Sequence, residues 1–235
     1  MNKINVLKQH EALRIGAMLK FSTLDYPGKI SSVIFCQGCP NRCVYCHNPD
    51  FIDISRPGQI SFDDVLDFLK SRTELLDAVV FSGGEPLIQS DLVDAILQIK
   101  QLGYLVGIHT SGVLTDRFVD ILNYVDWVGF DIKTEFDKYH KITRLANSGE
   151  SAKTSLLALL NSKVDFELRT TVDSRYIEDQ DLINIAKFLR ENGVKKWILQ
   201  ECILRDSGIN LKVPLPSNET ILKISQYVSV DLRKE

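Results

Sequence analysis

Short runs rich in β-branched and aromatic residues alternate along the chain with segments whose apolar residues recur every three or four positions. The runs predict strands over Lys29–Phe35, Ala78–Ser82, Tyr104–His109, Val125–Lys133, Asp165–Val172 and Lys196–Gln200, each bounded by turn formers. Between them, Ser61 is placed to cap a helix whose Phe62, Val65, Leu66 and Leu69 share one face, with Asp64 three residues beyond the cap. Ser90 opens a second helix that carries Ile96 and Ile99 and stops at Gly103. Thr115 or Asp116 begins a third, with Phe118, Ile121, Leu122 and Val125 at helical spacing. Ser151–Asn161 and Glu178–Asn192 follow, the latter ended by Gly193, and Ser217 caps a last helix through Ile221, Ile224 and Val228. These stripes are read as core-facing surfaces with no chemistry of their own.

Strand and helix alternating about six times imply parallel strands joined by right-handed crossovers. A closed eight-unit barrel needs about 250 residues. Six units in 235 residues predict an α/β fold of another kind: an open, partial (β/α)6 TIM-like barrel of parallel strands. No low-complexity tract divides the chain, so one domain is expected over 1–235, with its core at about 16–202 and a C-terminal helix at about 217–230. The first twenty or so residues and Thr134–Gly149 are the least regular parts.

An apolar fraction of 44% and a charged fraction of 25% are ordinary for a globular protein. The net charge of −3 argues against a broad basic face for nucleic acid. The N-terminal segment lacks an uninterrupted apolar stretch with a small-residue cleavage site. Apolar runs such as Leu156–Leu160 are too short to span a bilayer. A cytoplasmic protein is expected, with neither membrane nor nucleic acid as partner. In that reducing compartment, four cysteines crowded between Cys36 and Cys46 read as a metal site rather than as disulfides.

The loop after the first strand runs Cys36-Gln-Gly-Cys39-Pro-Asn-Arg-Cys43-Val-Tyr-Cys46-His47-Asn48-Pro49. Two C-x2-C pairs would suit zinc, but the three residues between them are a tighter gap than zinc sites use. Cys43 to His47 also matches the C-x-x-C-H pattern of covalent haem, which goes with export. Spacing alone leaves both open beside an iron–sulfur cluster. The cluster is the reading preferred here. Cys39, Cys43 and Cys46, spaced C-x3-C-x2-C, would leave one of four irons open to a small molecule, which signals chemistry more than structure. Cys36, at the strand end, reads as a small buried hydrophobe, and Cys202 as a packed thiol.

With Phe21-Ser-Thr-Leu-Asp-Tyr-Pro-Gly28 and Gln37 to Pro49, the chain resembles the radical S-adenosylmethionine superfamily, in its glycyl-radical-activating branch. The closest likeness is to activating proteins of anaerobic ribonucleoside-triphosphate reductase, and it covers the chain from about Gly16 to the sixth strand. The resemblance implies a [4Fe-4S] cluster on Cys39, Cys43 and Cys46, with S-adenosyl-L-methionine chelated to the open iron. Its reductive cleavage gives a 5′-deoxyadenosyl radical that abstracts hydrogen from a glycine of a partner enzyme, anaerobic ribonucleotide reductase in this reading. Flavodoxin or ferredoxin is the implied electron donor.

The resemblance extends residue by residue. Tyr45 takes the aromatic place near adenine, with core packing as the alternative. Gly83-Gly84-Glu85 looks like the family's GGE motif, in which Glu85 accepts from the cofactor's amino group. Thr110, Ser111, Asp131 and Lys133 match stretches that hold the methionine part, and Lys133 and Arg169 are placed to meet its carboxylate. An ordinary ion pair at the barrel mouth is the alternative for Asp131, Lys133 and Arg169. His109 departs from the aspartate usual in pyruvate formate-lyase activating enzymes, which puts a monovalent-cation site there in doubt. Gln200 and Glu201 stand where a histidine near adenine is expected, His47 reads as a polar neighbour of the cluster, and His10 and His140 carry no signal.

Independently of any likeness, the cysteine loop and these polar residues all fall at C-terminal strand ends, which form one face of a (β/α) barrel. Two rival functions stay open at this point. One is a radical enzyme acting on a small molecule, as in carboxy-deazaguanine synthases; the other is an electron-transfer protein without catalysis.

Overall fold

The computed structural model describes residues 13–206 and 209–234; His10 lies outside them. Six parallel strands form the body of the sheet: β2 (Ser31–Cys36), β3 (Ala78–Gly83), β4 (Leu105–Thr110), β5 (Trp127–Asp131), β6 (Asp165–Val172) and β7 (Lys196–Asp206). They pair in chain order, as consecutive crossovers of one hand produce. The expected α/β partial barrel is present, with additions at both margins.

At one margin β1 (Ile15–Ser22) runs antiparallel to β2, a strand the sequence pattern did not distinguish from an irregular lead. At the other, β7 continues six residues past the expected end and carries antiparallel β8 (Ile209–Val213) and parallel β9 (Ser229–Arg233). Among the described residues no strand joins β1 to β8 or β9, so the sheet stays open.

Helices α1 (Phe62–Lys70), α2 (Leu92–Gln101), α3 (Thr115–Ile121), α5 (Ser148–Leu160) and α6 (Asp179–Glu191) fill the crossovers, with a short α4 (Tyr139–Thr143) ahead of α5. α7 (Asn218–Ser225) ends five residues short of the helix end expected at about 230, and β9 takes over Ser229 and Val230. Ser61 and Ser217 cap as expected, accepting from the amides of Asp64 and Thr220. Asp91 rather than Ser90 precedes α2, and α3 ends at Ile121, so Val125 belongs to the connection before β5. No helix among the described residues is long and apolar enough to cross a membrane.

One face of the sheet supplies Ile34, Phe81, Ile108 and Phe130 to the main core under the helices. Residues of opposite parity, Val33, Ala78, Val80 and Trp127, form a second, smaller cluster with Tyr26 on the inner face. Tyr26 packs against Trp127 with ring centroids 5.2 Å apart and planes tilted by 32°, and the Trp127 ring meets His109 edge-on at 5.5 Å.

Candidate active site

Register decides what the strand ends bring together. Cys36 pairs with Gly83 across β2 and β3, which sets the cysteine loop beside the Gly-Gly-Glu turn. Gly84 N–H donates to Cys36 O at 2.9 Å and Glu85 N–H to Gly38 O at 2.9 Å. A Cβ on Gly84 would lie 2.1 Å from Gly38 O, and one on Gly83, at φ +101°, 2.5 Å from Cys36 N. Both glycines are therefore required by the approach of two backbones.

The loop is fastened from the far side as well. Gly38 and Cys39 donate to Phe51 O and Ile52 O, while Arg42 N and Val44 N donate to Thr143 O and Ile142 O. Thr134–Gly149, the stretch that looked irregular, thus supports the loop through α4. The Arg42 guanidinium closes the turn on Cys39 O at 2.7 Å.

Cys39, Cys43 and Cys46 line a cavity of about 520 Å³ at the C-terminal strand ends. Tyr45, Gly83, Gly84, Glu85, Thr110, Ser111, Asp131, Lys133 and Arg169 line it too, so the residues expected to meet the cluster or the cofactor reach the same space, while Glu201 does not. Cys36 is fully buried and absent from that lining, and Cys202 is buried elsewhere. His109 and Gln200 also face the cavity. Asn41, Leu24, Asp25, Arg233 and Lys234 join them without having been expected there. Arg233 and Lys234 carry no motif, and they arrive only because β9 pairs in parallel with β7, opposite Gln200.

Burial governs the charges here. Burial first, then the Glu85 carboxylate, pushes the Cys39 thiol up to about 12, and burial raises Cys43 as well. Such thiols ionise when a metal takes the proton's place. Among the described residues no three His, Cys, Asp or Glu side chains converge tightly enough for a single metal ion. A cuboidal cluster, being larger, asks for thiols set farther apart.

Asp131 accepts from Arg169 Nε at 3.0 Å and from Lys133 Nζ at 3.2 Å, a contact prepared by the Asp131–Arg169 register of β5 and β6. Burial alone would raise the Asp131 carboxyl, but Arg169 and Lys133 hold it well below the usual range. Two cations against one carboxylate leave a net positive edge on the cavity. Lys133 Nζ also lies 5.9 Å from the Tyr45 ring centroid. His109 donates from Nε2 to Asp25 O at 2.9 Å. Burial, reinforced by the charge of Arg169, lowers its ring to about 3 and keeps it neutral.

The site also holds buried polar atoms with no protein partner, the Tyr45 hydroxyl and Asn41 Oδ1. Three thiols, a positive edge and unpaired buried oxygens fit a cluster with an amino-acid-bearing ligand on its open iron.

Comparison with known proteins agrees with that fit. The family model described as "Radical SAM superfamily" matches residues 33–199, well over half of the chain. A protein of Methanocaldococcus jannaschii with the provisional name glycyl-radical enzyme activating enzyme MJ1227 is 34% identical over 224 residues, covering 90% of each chain. Pyruvate formate-lyase-activating enzyme of Staphylococcus aureus (strain USA300) is 30% identical over 243 residues, covering 88% of this chain and 91% of its own. In fold, the chain is similar to Streptococcus suis SuiB bound to precursor peptide SuiA, with a TM-score of 0.64 at 15% identity. That likeness covers 86% of this chain but 48% of SuiB, so the chain spans about half of that structure. The cysteine-loop architecture and the family match together place this chain in the radical S-adenosylmethionine superfamily, as an enzyme that works with a [4Fe-4S] cluster and S-adenosylmethionine.

Proposed function

We propose that this chain is a cytoplasmic activase that installs a glycyl radical in a partner enzyme, with anaerobic ribonucleoside-triphosphate reductase as that partner. What carries the reading is likeness over nearly the whole chain to proteins named as glycyl-radical and pyruvate formate-lyase activating enzymes. Only fourteen residues separate Cys46 from Ser61, which leaves no room there for an inserted ferredoxin module. Electrons would come from a separate flavodoxin or ferredoxin.

Cys39, Cys43 and Cys46 hold the cluster in this reading. When bound, the reduced cluster and S-adenosylmethionine supply a 5′-deoxyadenosyl radical that takes a hydrogen atom from the partner's glycine. The protein's own residues bind and orient. Lys133 and Arg169, in excess over Asp131, attract the cofactor's carboxylate. Tyr45 offers a buried ring face for adenine, and Gly83–Glu85 with Thr110 and Ser111 shape the wall for the methionine part. The inner-face cluster of Tyr26 and Trp127 packs against His109 and supports its ring from the side away from the cysteines.

The test mixes the reconstituted, reduced protein with anaerobic ribonucleotide reductase and S-adenosylmethionine, with pyruvate formate-lyase as a parallel sample. A glycyl-radical resonance in the reductase supports the reading. A signal only in the lyase reassigns the partner, and a cluster-replete protein that gives neither sinks the activase.

A further inference from the structure

Asn41 was not singled out by any sequence pattern, yet it stands between the first two cysteines of the loop, 3% exposed and facing the cavity. Its Nδ2 donates to Ser111 Oγ at 3.0 Å, and Ser111 Oγ donates its single proton to Glu85 Oε2 at 2.7 Å. Ser111 Oγ can therefore only accept from Asn41, which fixes the amide with Nδ2 toward Ser111. Oδ1 is left buried with no protein partner. A buried carbonyl without a donor is costly, so such an atom marks where a ligand's N–H or O–H belongs.

Glu85 is in the opposite condition. Its carboxylate already accepts from Thr110 Oγ1 at 2.7 Å, from Ser111 Oγ and N at 2.7 and 3.1 Å, and from Leu87 N at 3.4 Å. These four donors match the four lone-pair positions of a carboxylate.

We infer that Asn41 is the cofactor-positioning residue at the amino end of S-adenosylmethionine, its Oδ1 accepting from the α-amino group while Glu85 holds the wall that orients it. The inference rests on the reading of the three cysteines as the cluster site, since the cofactor's amino-acid end is the part that meets the open iron. Ribose hydroxyls are the competing donors.

Anaerobic equilibrium dialysis without reductant, hence without turnover, tests the assignment. Cluster-reconstituted wild type and Asn41→Ala are each titrated with S-adenosylmethionine, with its analogue lacking the α-amino group, and with its 2′-deoxy analogue. The substitution should weaken S-adenosylmethionine roughly 10- to 100-fold, the range for a hydrogen bond to a charged or metal-polarised donor. It should leave the desamino analogue within about twofold, so the preference collapses by the same factor. A preference unchanged by the substitution overturns the inference, and coupling to the 2′-deoxy analogue instead overturns the choice of the amino group. Asn41→Asp in its protonated form donates its O–H to Ser111 Oγ, keeps its carbonyl oxygen toward the cavity and should retain the preference. If Asn41→Ala takes up no cluster, loss of preference in Asn41→Asp is the overturning result. Wild type with a full cluster that binds no S-adenosylmethionine overturns the cysteine-site reading itself, an outcome separate from intact binding with an unchanged ratio.

Discussion

One oxygen of Glu85, Oε2, accepts from both the backbone N–H and the hydroxyl of Ser111, at 3.1 and 2.7 Å. With Thr110 Oγ1 on the other oxygen, this clasp ties the turn after β3 to the end of β4 inside the protein. Burial raises the Glu85 carboxyl against the pull of those donors, so the clasp holds an ionisable group in a dry place.

Glu85→Gln replaces an oxygen that accepts with a nitrogen that donates, leaving Ser111 or Thr110 facing another donor. The substitution should destabilise the fold by about 1–3 kcal/mol, the cost of stranding buried donors. Urea unfolding of the metal-free protein measures it, and a loss within error of zero would mean that the strand ends do not depend on the clasp.

Substitution of Cys39, Cys43 or Cys46 by Ser should each abolish stable cluster uptake, read as bound iron and sulfide per chain. Cys36→Ser and Cys202→Ser should retain it, because neither thiol lines the cavity. Loss of iron in Cys36→Ser with the fold intact would make Cys36 a ligand after all.

Gly84→Ala forces a methyl to within 2.1 Å of Gly38 O, an atom of backbone that cannot swing aside. The cysteine loop should shift, with a stability loss of about 1–3 kcal/mol or more and a marked fall in cluster uptake. Gly103→Ala meets no atom within 4 Å and should leave cluster uptake intact, although its φ of +93° costs some stability. Equal iron content in the two variants would separate the glycine from the loop.

His109 titrates near 6.5 in an unfolded chain, and burial followed by the charge of Arg169 lowers it to about 3 in the fold. Between those values the unfolded chain binds the extra proton. The stability held by the neutral ring is therefore complete above pH 6.5 and drains away as pH falls toward 3. At pH 5 the loss from this one group should reach about 2 kcal/mol. His109→Gln should remove that part of the slope when urea unfolding of the metal-free protein is compared at pH 7.5 and 5. Identical slopes in wild type and variant would mean that His109 is not buried neutral.

Much of this architecture was legible from pattern. Six β-rich runs with amphipathic segments between them announced the parallel body, and Ser61, Ser217, Gly103 and Gly193 marked ends that hold. The margins were not legible. β1 (Ile15–Ser22) has a single β-branched residue and no apolar–polar alternation over Gly16–Leu19, and β8 and β9 owe their existence to pairing with an extended β7. In the site, cysteine spacing and the Gly-Gly-Glu word point to residues that line one cavity. Asn41 and Arg233 escaped because their places depend on contacts with Ser111 and on strand register, which no local spacing encodes.

The two glycines at the head of the Gly-Gly-Glu turn have a consequence for how such sequences diverge. Their first duty is to let one loop lie against another, whatever chemistry the pocket performs. A descendant that lost its iron could keep both glycines for that reason alone, while the freed thiols drifted. The glycine pair thus belongs to the scaffold, and the three cysteines to the chemistry it carries.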